Sequence, residues 1–250
     1  MNSRFAMVIL LFAAALNGQQ AKPAPSADEV ARRAFDVAGG PEWEKARYFA
    51  FTFNLDRTDG TRAASFPQRW DRVSGDYRVS GVDPQGKKFD VVVNLKSRAG
   101  KATVDGAPVT GDKLTEMLAM ATRRFQNDTF WLLMPQKLMD PAIRRAYEGT
   151  RDDACSRTFD VLRLTFEPGF GFGPNDVYWA WINRDTGLIE YWDMKLTAVR
   201  DDKPVAVTFR DFRRVGGLVI STQREIASKK QVVKLDDLVV SAEPPKGAFD

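Results

Sequence analysis

The chain has no histidine at all and only one cysteine, Cys155, in 250 residues. Without histidine there is no Ser-His-Asp or Cys-His arrangement, no usual general base and almost no route to a zinc site. A lone cysteine cannot make an internal disulfide, so stability must come from the core. Charge of one sign is scarce as well. The 37 basic and 33 acidic residues leave a net charge of +4. They are interspersed along the chain, which argues against a nucleic-acid partner. No apolar run reaches the roughly 20 residues that a membrane-spanning helix needs. No clean repeat and no Pro/Gly-rich boundary divides the chain.

The longest apolar run is Phe5 to Leu16, which follows Arg4 and precedes polar Asn17-Gly18-Gln19-Gln20. This is the layout of a cleaved export signal. The expected organisation is a signal peptide over 1–18, a flexible leader over 19–25 and a single domain over 26–245. No cysteine follows the apolar run, so a lipid anchor is not expected. The mature chain is expected to be periplasmic or secreted. Loss of Arg4 lowers its net charge to +3.

Ser26-Ala27-Asp28-Glu29 has capping-box spacing, and Val30, Ala31, Ala34, Phe35 and Ala38 recur at helical intervals until Gly39-Gly40-Pro41. From Arg47 the period changes to two. Phe49, Phe51, Phe53 and Leu55 form an aromatic inner face. Phe66, Gln68 and Trp70 share one face of the next strand, and Phe89, Val91, Val93 and Leu95 share one face of a later strand. Asp59-Gly60, Ser74-Gly75-Asp76 and Asp83-Pro84-Gln85-Gly86 are turns. Short links of this kind predict sequential antiparallel pairing.

A second helix is predicted over about Asp112 to Phe125, with Leu114, Met117, Leu118, Ala121 and Phe125 on one stripe and Met120 at its edge. Phe130 to Met134 then forms an unbroken apolar block that reads as closed by Pro135. It is too apolar for water and must cover a large apolar surface. Strands resume from Arg157 to Phe166. Val177 to Ile182 is apolar on both faces, which predicts cover on both sides. Hairpins follow through Trp192 and Met194 to Val240. The sum is a mainly β (α+β) fold of ten or eleven strands in one curled antiparallel sheet. Strands twist, so a sheet this wide curls into an incomplete barrel, and its open side is covered here by the helices.

Catalytic patterns are weak. Cys155 lies in a polar loop with no histidine to activate it. The acidic doublets Asp152-Asp153, Asp201-Asp202 and Asp236-Asp237 sit where aspartate serves turns. Asp71, Asp90, Glu190 and Asp193 lie inside strands, where a pair could face a cleft as in a glycosidase. Gly169-Phe170-Gly171-Phe172-Gly173 is flanked by strands rather than opening a helix, so it is not a phosphate loop. Asn127-Asp128-Thr129 matches a glycosylation sequon, a pattern common by chance. Aromatic and basic residues mix in Arg69-Trp70-Asp71-Arg72, where intervening acids favour cross-strand pairs on a solvated face. No cofactor and no metal site is implied.

Asn127-Asp128-x-Phe130-Trp131-Leu132-Leu133-x-Pro135-x-Lys137-Leu138-x-Asp140-Pro141, with Asp185-x-Gly187-Leu188-Ile189 in a late hairpin, is similar to a family of exported bacterial proteins. That family is assigned to the lipoprotein-localisation-factor (LolA/LolB-like) superfamily. The element order also resembles that superfamily over nearly the whole mature chain. The resemblance implies a half-barrel whose apolar interior holds acyl chains. The carrier's functional arginine has no matched position here.

The leading expectation is therefore a non-enzymatic binding protein or carrier for a hydrophobic ligand, a lipid or a lipoprotein acyl chain. Candidate lining residues are Met117, Met120, Phe130, Trp131, Leu133 and Met134 from the covering segment, and Phe49, Phe51, Phe53, Trp179 and Trp181 from the sheet. Ordinary cores use the same residue types. A monomer with transient membrane contact is expected. The alternatives are a carboxylate-dependent hydrolase of envelope glycans and an adaptor whose interior is filled.

Overall fold

A computed structural model describes residues 23–167, 173, 175–197 and 203–250. The expected export signal, most of the glycine-rich loop and Asp201-Asp202 lie outside these residues. Helix α1 (Ala27–Val37) starts on the predicted capping box. Ser26 Oγ accepts from the Glu29 amide, and Ser26 N–H donates to the Glu29 carboxylate. A short helix, α2 (Glu42–Lys45), follows it. Strands β1 (Tyr48–Arg57), β2 (Arg62–Asp71), β3 (Asp76–Val82), β4 (Lys88–Asn94), β5 (Gly100–Val104) and β6 (Ala107–Pro108) then lead to helix α3 (Gly111–Lys137). After it come β7 (Ile143–Asp152), β8 (Thr158–Phe166), β9 (Val177–Asn183), β10 (Ile189–Lys195), β11 (Val205–Val215), β12 (Leu218–Ile226) and β13 (Gln231–Ser241).

All thirteen strands belong to one sheet in the order β6-β5-β4-β3-β2-β1-β13-β12-β11-β10-β9-β8-β7. Each neighbouring pair is antiparallel. The one long-range pairing joins β1 to the last strand, β13, at the middle of the sheet. β6 and β7 are left as free edges, so the barrel is not closed. This is the predicted curled sheet with two more strands than expected. One is the two-residue β6. The other is β7, whose Arg144, Arg145, Glu148 and Arg151 hide the period-two pattern, as charges on edge strands commonly do.

Helix α3 departs from expectation. It does not stop near Phe125 but runs on through the apolar block and past Pro135. Proline removes one helical hydrogen bond and crowds the carbonyl four residues back. The chain absorbs this at Leu133, whose φ −122° and ψ 25° are not helical. The kink lets one helix bend over the concave face. Gly100 permits the close approach of its first half, because a Cβ there would lie 2.8 Å from Leu118 Cδ2 and overlap the Val92 carbonyl.

Under the helices the apolar core runs as three adjoining clusters. α1 buries Val30, Ala31 and Ala34 against Leu162, Leu164, Ala180 and Trp192 of the β8–β10 side. Phe49, Phe51 and Phe53 pack with Leu132 and Leu133 at the centre. Tyr77, Val79, Val91 and Val93 pack with Met117 and Ala121 at the β3–β5 end. On β1 and β4 the inward residues alternate with less buried ones, as the period-two reading required, whereas β8 and β9 are apolar on both faces.

Asp71, at the end of β2, accepts from Arg47 Nε at 3.0 Å and Nη2 at 2.8 Å and also caps the following turn. The Arg47 hydrogen bonds lead the causes that hold its carboxyl at about 2. A carboxyl titrating below its usual value stabilises the fold above that usual value. The stabilisation is lost as pH falls through the folded value. After allowance for solvent around the half-exposed arginine, the contribution is on the order of 1–2 kcal/mol. Arg47→Met is expected to shrink this acid-dependent loss to the part held by the Val73 and Ser74 amides, read as urea midpoints compared between about pH 5 and pH 2.

Candidate functional site

The concave face and its cover define the site. The structure brings most of the candidate residues to it. Phe49, Phe51 and Phe53 of β1 point inward and are buried, and Leu133 of the kink lies on them. Met134 joins the α1 side of the core, Phe130 packs there too, and Trp131 bridges that side and the centre. Met117 and Met120 belong to the first half of α3, over β3–β5.

Trp179 and Trp181 are placed elsewhere. On β9 it is Tyr178, Ala180 and Ile182 that enter the core. The two tryptophans face outward, with Nε1 donating to Glu148 at 3.1 Å and to Asp193 at 3.0 Å. The expectation that they line the interior is corrected. The expected cover on both faces of β9 is found on the inner face alone, and the outer tryptophans are half-buried among side chains of neighbouring strands. Phe159 and Tyr191 pack edge-on against Trp181 there.

The interior itself is full. Trp131 stacks on Trp192 at 5.4 Å, Trp192 stacks on Phe209 at 5.6 Å, and Phe130 meets Trp192 edge-on at 5.2 Å. Between α1, the α3 kink and strands β11 and β12, only about 10 Å³ remains. That is at most room for one water. The apolar block was expected to roof a space, and instead its side chains occupy it. A hydrocarbon tail can lie there only if α3 lifts.

Open apolar space flanks α3. A cleft of about 790 Å³ lies between its first half and β2–β5. Phe66, Phe89, Val104, Met117 and Met120 line it, with Lys113, Arg123 and Arg124 and the acids Asp83 and Glu116 around them. Its volume is within the range of small-molecule sites. A second cleft of about 490 Å³ is lined by Phe35, Trp43, Trp70, Phe125, Lys137 and Met139. Burial pushes the Lys137 ammonium down to about 8, and its Nζ donates to Thr129 Oγ1 at 3.2 Å across the kink.

Between the clefts a buried polar chain pins α3 to the sheet. Tyr77 donates to Gln68 at 2.6 Å, and Gln68 Nε2 donates to Asp128 at 2.5 Å. Asn127 Nδ2 and Arg124 Nη1 also donate to Asp128, at 2.7 Å and 3.1 Å. The Arg124 guanidinium lies 3.5 Å over the Phe66 ring at the edge of the first cleft. Burial raises the Asp128 carboxyl, and this outweighs the opposing pull of Arg124. The sequence reading saw only a sequon here. The missed signal was an aspartate at an inward helical position beside Ala121 and Leu132.

The strand acids that had looked like a possible catalytic pair are tied to partners. Asp71 is held by Arg47, Asp90 by Arg78, Glu190 by Arg157, and Asp193 by the Trp181 indole. Cys155 is exposed. Among the described residues no group of His, Cys, Asp and Glu is arranged to hold a metal ion, and no helix is long and apolar enough to cross a membrane.

This architecture, an unclosed antiparallel half-barrel roofed by a kinked helix, defines the class of protein. Comparison with solved structures shows a fold similar to that of a LolA superfamily protein. A LolA superfamily protein, NE2245 from Nitrosomonas europaea, superposes with a TM-score of 0.53 at 12% identity, over 91% of this chain and 98% of that one. A DUF1329 family protein from Desulfovibrio piger gives 0.48 at 15% identity, over 87% and 95%. The Mycobacterium tuberculosis lipoprotein LppX gives 0.31 at 11% identity, over 88% and 98%. The fold assignment rests on the first of these. No family model and no curated protein sequence matches the chain.

Proposed function

We propose that the protein is an exported, non-enzymatic binding protein or carrier for a hydrophobic ligand, a lipid or a lipoprotein acyl chain. The ligand is taken up between the curled sheet and helix α3. The observation that carries this reading is the 790 Å³ cleft beside α3, with its methionine-lined apolar wall and a rim of mixed charge. Methionine suits such a wall because its flexible thioether adapts to variable apolar shapes. Each methylene buried there contributes roughly 0.8 kcal/mol. Deeper uptake requires the apolar block of α3 to leave the concave face. The kink at Leu133 and the proline at 135 are where such a movement would hinge.

A second reading has one observation in its favour. A filled interior suits an adaptor that presents a surface to a protein partner. Native mass spectrometry separates the two. The gently purified protein, incubated with membrane lipid extract, is expected to carry an adduct of lipid mass. Met120→Glu, which puts a charge into the cleft wall, is expected to weaken that adduct by about tenfold or more. Consistent absence of any adduct would favour the adaptor and end the carrier reading.

A further inference from the structure

Arg224 is a cation sealed in the apolar interior with no acid beside it. It stands on β12 opposite Phe209 of β11, its guanidinium 5.0 Å over that ring, and is 1% exposed. Its one hydrogen bond among the described residues runs from Nη1 to Ser221 O of its own strand, at 2.6 Å. Nε is buried with no partner. Trp192, which stacks on Phe209, also has a buried Nε1 without a partner. Both orphaned atoms are donors that cannot accept. Burial pushes the guanidinium down to about 9, which leaves it cationic at neutral pH. An unpaired buried charge destabilises a fold by several kcal/mol unless an opposite charge answers it.

The small remaining space borders Arg224 and is roofed by Leu132 and Pro135 on either side of the α3 kink. A register row leads out from it. Arg224 pairs with Val233 of β13, Val233 with Leu55 of β1, and Leu55 with Ala64 of β2. Directly paired residues share a face of the sheet. The row therefore runs from the buried cation along the inner face for three strand spacings, roughly 14 Å. It ends at Ala64, which lines the open cleft. Burial fades along it, from Arg224 and Val233, both buried, to Leu55 and Ala64, both half-buried.

We propose that Arg224 seats the anionic headgroup of the ligand, which is a single-chain amphiphile bearing a carboxylate or a phosphate monoester. With α3 lifted at its kink, the head sits beneath it and pairs with the guanidinium fork, in place of the apolar block that fills this region in the closed state. The tail follows the Arg224–Val233–Leu55–Ala64 row outward, and its far end lies among Phe66, Met117 and Met120. This assignment rests on the hydrophobic-ligand reading and narrows it to one chemical class. It also explains why a costly unpaired cation is kept among the apolar side chains around Phe209.

The test uses three probes with one C18 tail, namely oleate, oleyl phosphate and oleyl alcohol, each kept below its micelle concentration. Binding is followed by calorimetry on the mature chain. The two anions are expected to bind about tenfold or more tighter than the alcohol. The tighter of the two identifies the headgroup. Arg224→Met is expected to bring all three to near parity by weakening the anions, while the alcohol is unaffected and the melting temperature is equal or higher. Arg224→Gln serves the same purpose if the thioether repacks the core. Equal binding of all three by the parent protein would overturn the proposal and leave the hydrophobic-ligand reading standing. So would an anion preference that survives in both variants, which would assign it to Lys113 and Arg123 at the rim. Binding of none of the three would overturn both.

Discussion

Trp192→Ala is expected to cost about 3–5 kcal/mol, because a large side chain is removed from a site that cannot collapse. Trp192 is 1% exposed and is the point where α3 docks on the sheet. Phe130 and Trp131 of the helix both rest on it, and Phe209 and Tyr178 hold it from the sheet side. Domains are stable by only about 5–15 kcal/mol in total, so the loss takes a large share. The urea midpoint should fall with little change in slope. Trp192→Phe should cost far less, about 1.5 kcal/mol or under, because it keeps a ring against Trp131 and removes an orphaned N–H. The result also bears on the resting state of the lid. A loss below about 1 kcal/mol for the alanine variant would mean that α3 is not seated on Trp192 in solution.

That docking is the part of the site the sequence could not display. The capping box at Ser26 and the phenylalanine alternation of β1 are local signals, and both elements formed where those signals lay. The curled sheet was equally legible, since a series of short links between strands leaves little choice but sequential pairing. Pro135 misled because proline usually ends a helix. Here a single residue, Leu133, takes up the distortion, and the apolar face of the helix gains enough contact with the sheet to continue. β7 was hidden because five charged residues guard a free edge and erase the alternation. Trp179 and Trp181 were assigned to the wrong face because both faces of β9 are apolar, so periodicity alone could not choose between them.

Whether the interior holds a void or a core was beyond sequence reasoning for a deeper reason. Trp131 and Trp192 are 61 positions apart in the chain yet stack in parallel, and no local pattern reports whether two such rings meet or leave space. The composition of a cavity wall and of a packed core is the same. The polar residues carried more information than the greasy ones. Asp128, Gln136 and Arg224 are buried in apolar surroundings, and each marks a place where packing alone does not account for the residue. Arg224 sits at an inward position of β12, two residues before buried Ile226, and that parity was the available signal.

Asp128 gives the second large effect. Asp128→Ala is expected to cost about 3–5 kcal/mol, since it leaves the Arg124 charge and the Gln68 amide facing each other without their shared acceptor. The aspartate links α3 to β2, so the damage should be local first. Hydrogen exchange should quicken along residues 117–130 before it does in the central strands. Asp128→Asn keeps an acceptor and removes a buried charge, so it should cost much less. Asp128 and Asp71 also predict opposite behaviour with pH. Burial raises the Asp128 carboxyl above 3.8, so the folded chain holds that proton more tightly than the unfolded chain does. Its contribution is fully present below that value and is lost as pH rises through the folded value, the reverse of Asp71. The stability difference between the parent and Asp128→Asn should therefore move in favour of Asn as pH is raised from about 4. Above the folded value it should become flat. A difference that stayed constant across that window would mean the carboxyl is already ionised and screened, and that the first half of α3 stands open to water rather than pinned on Gln68.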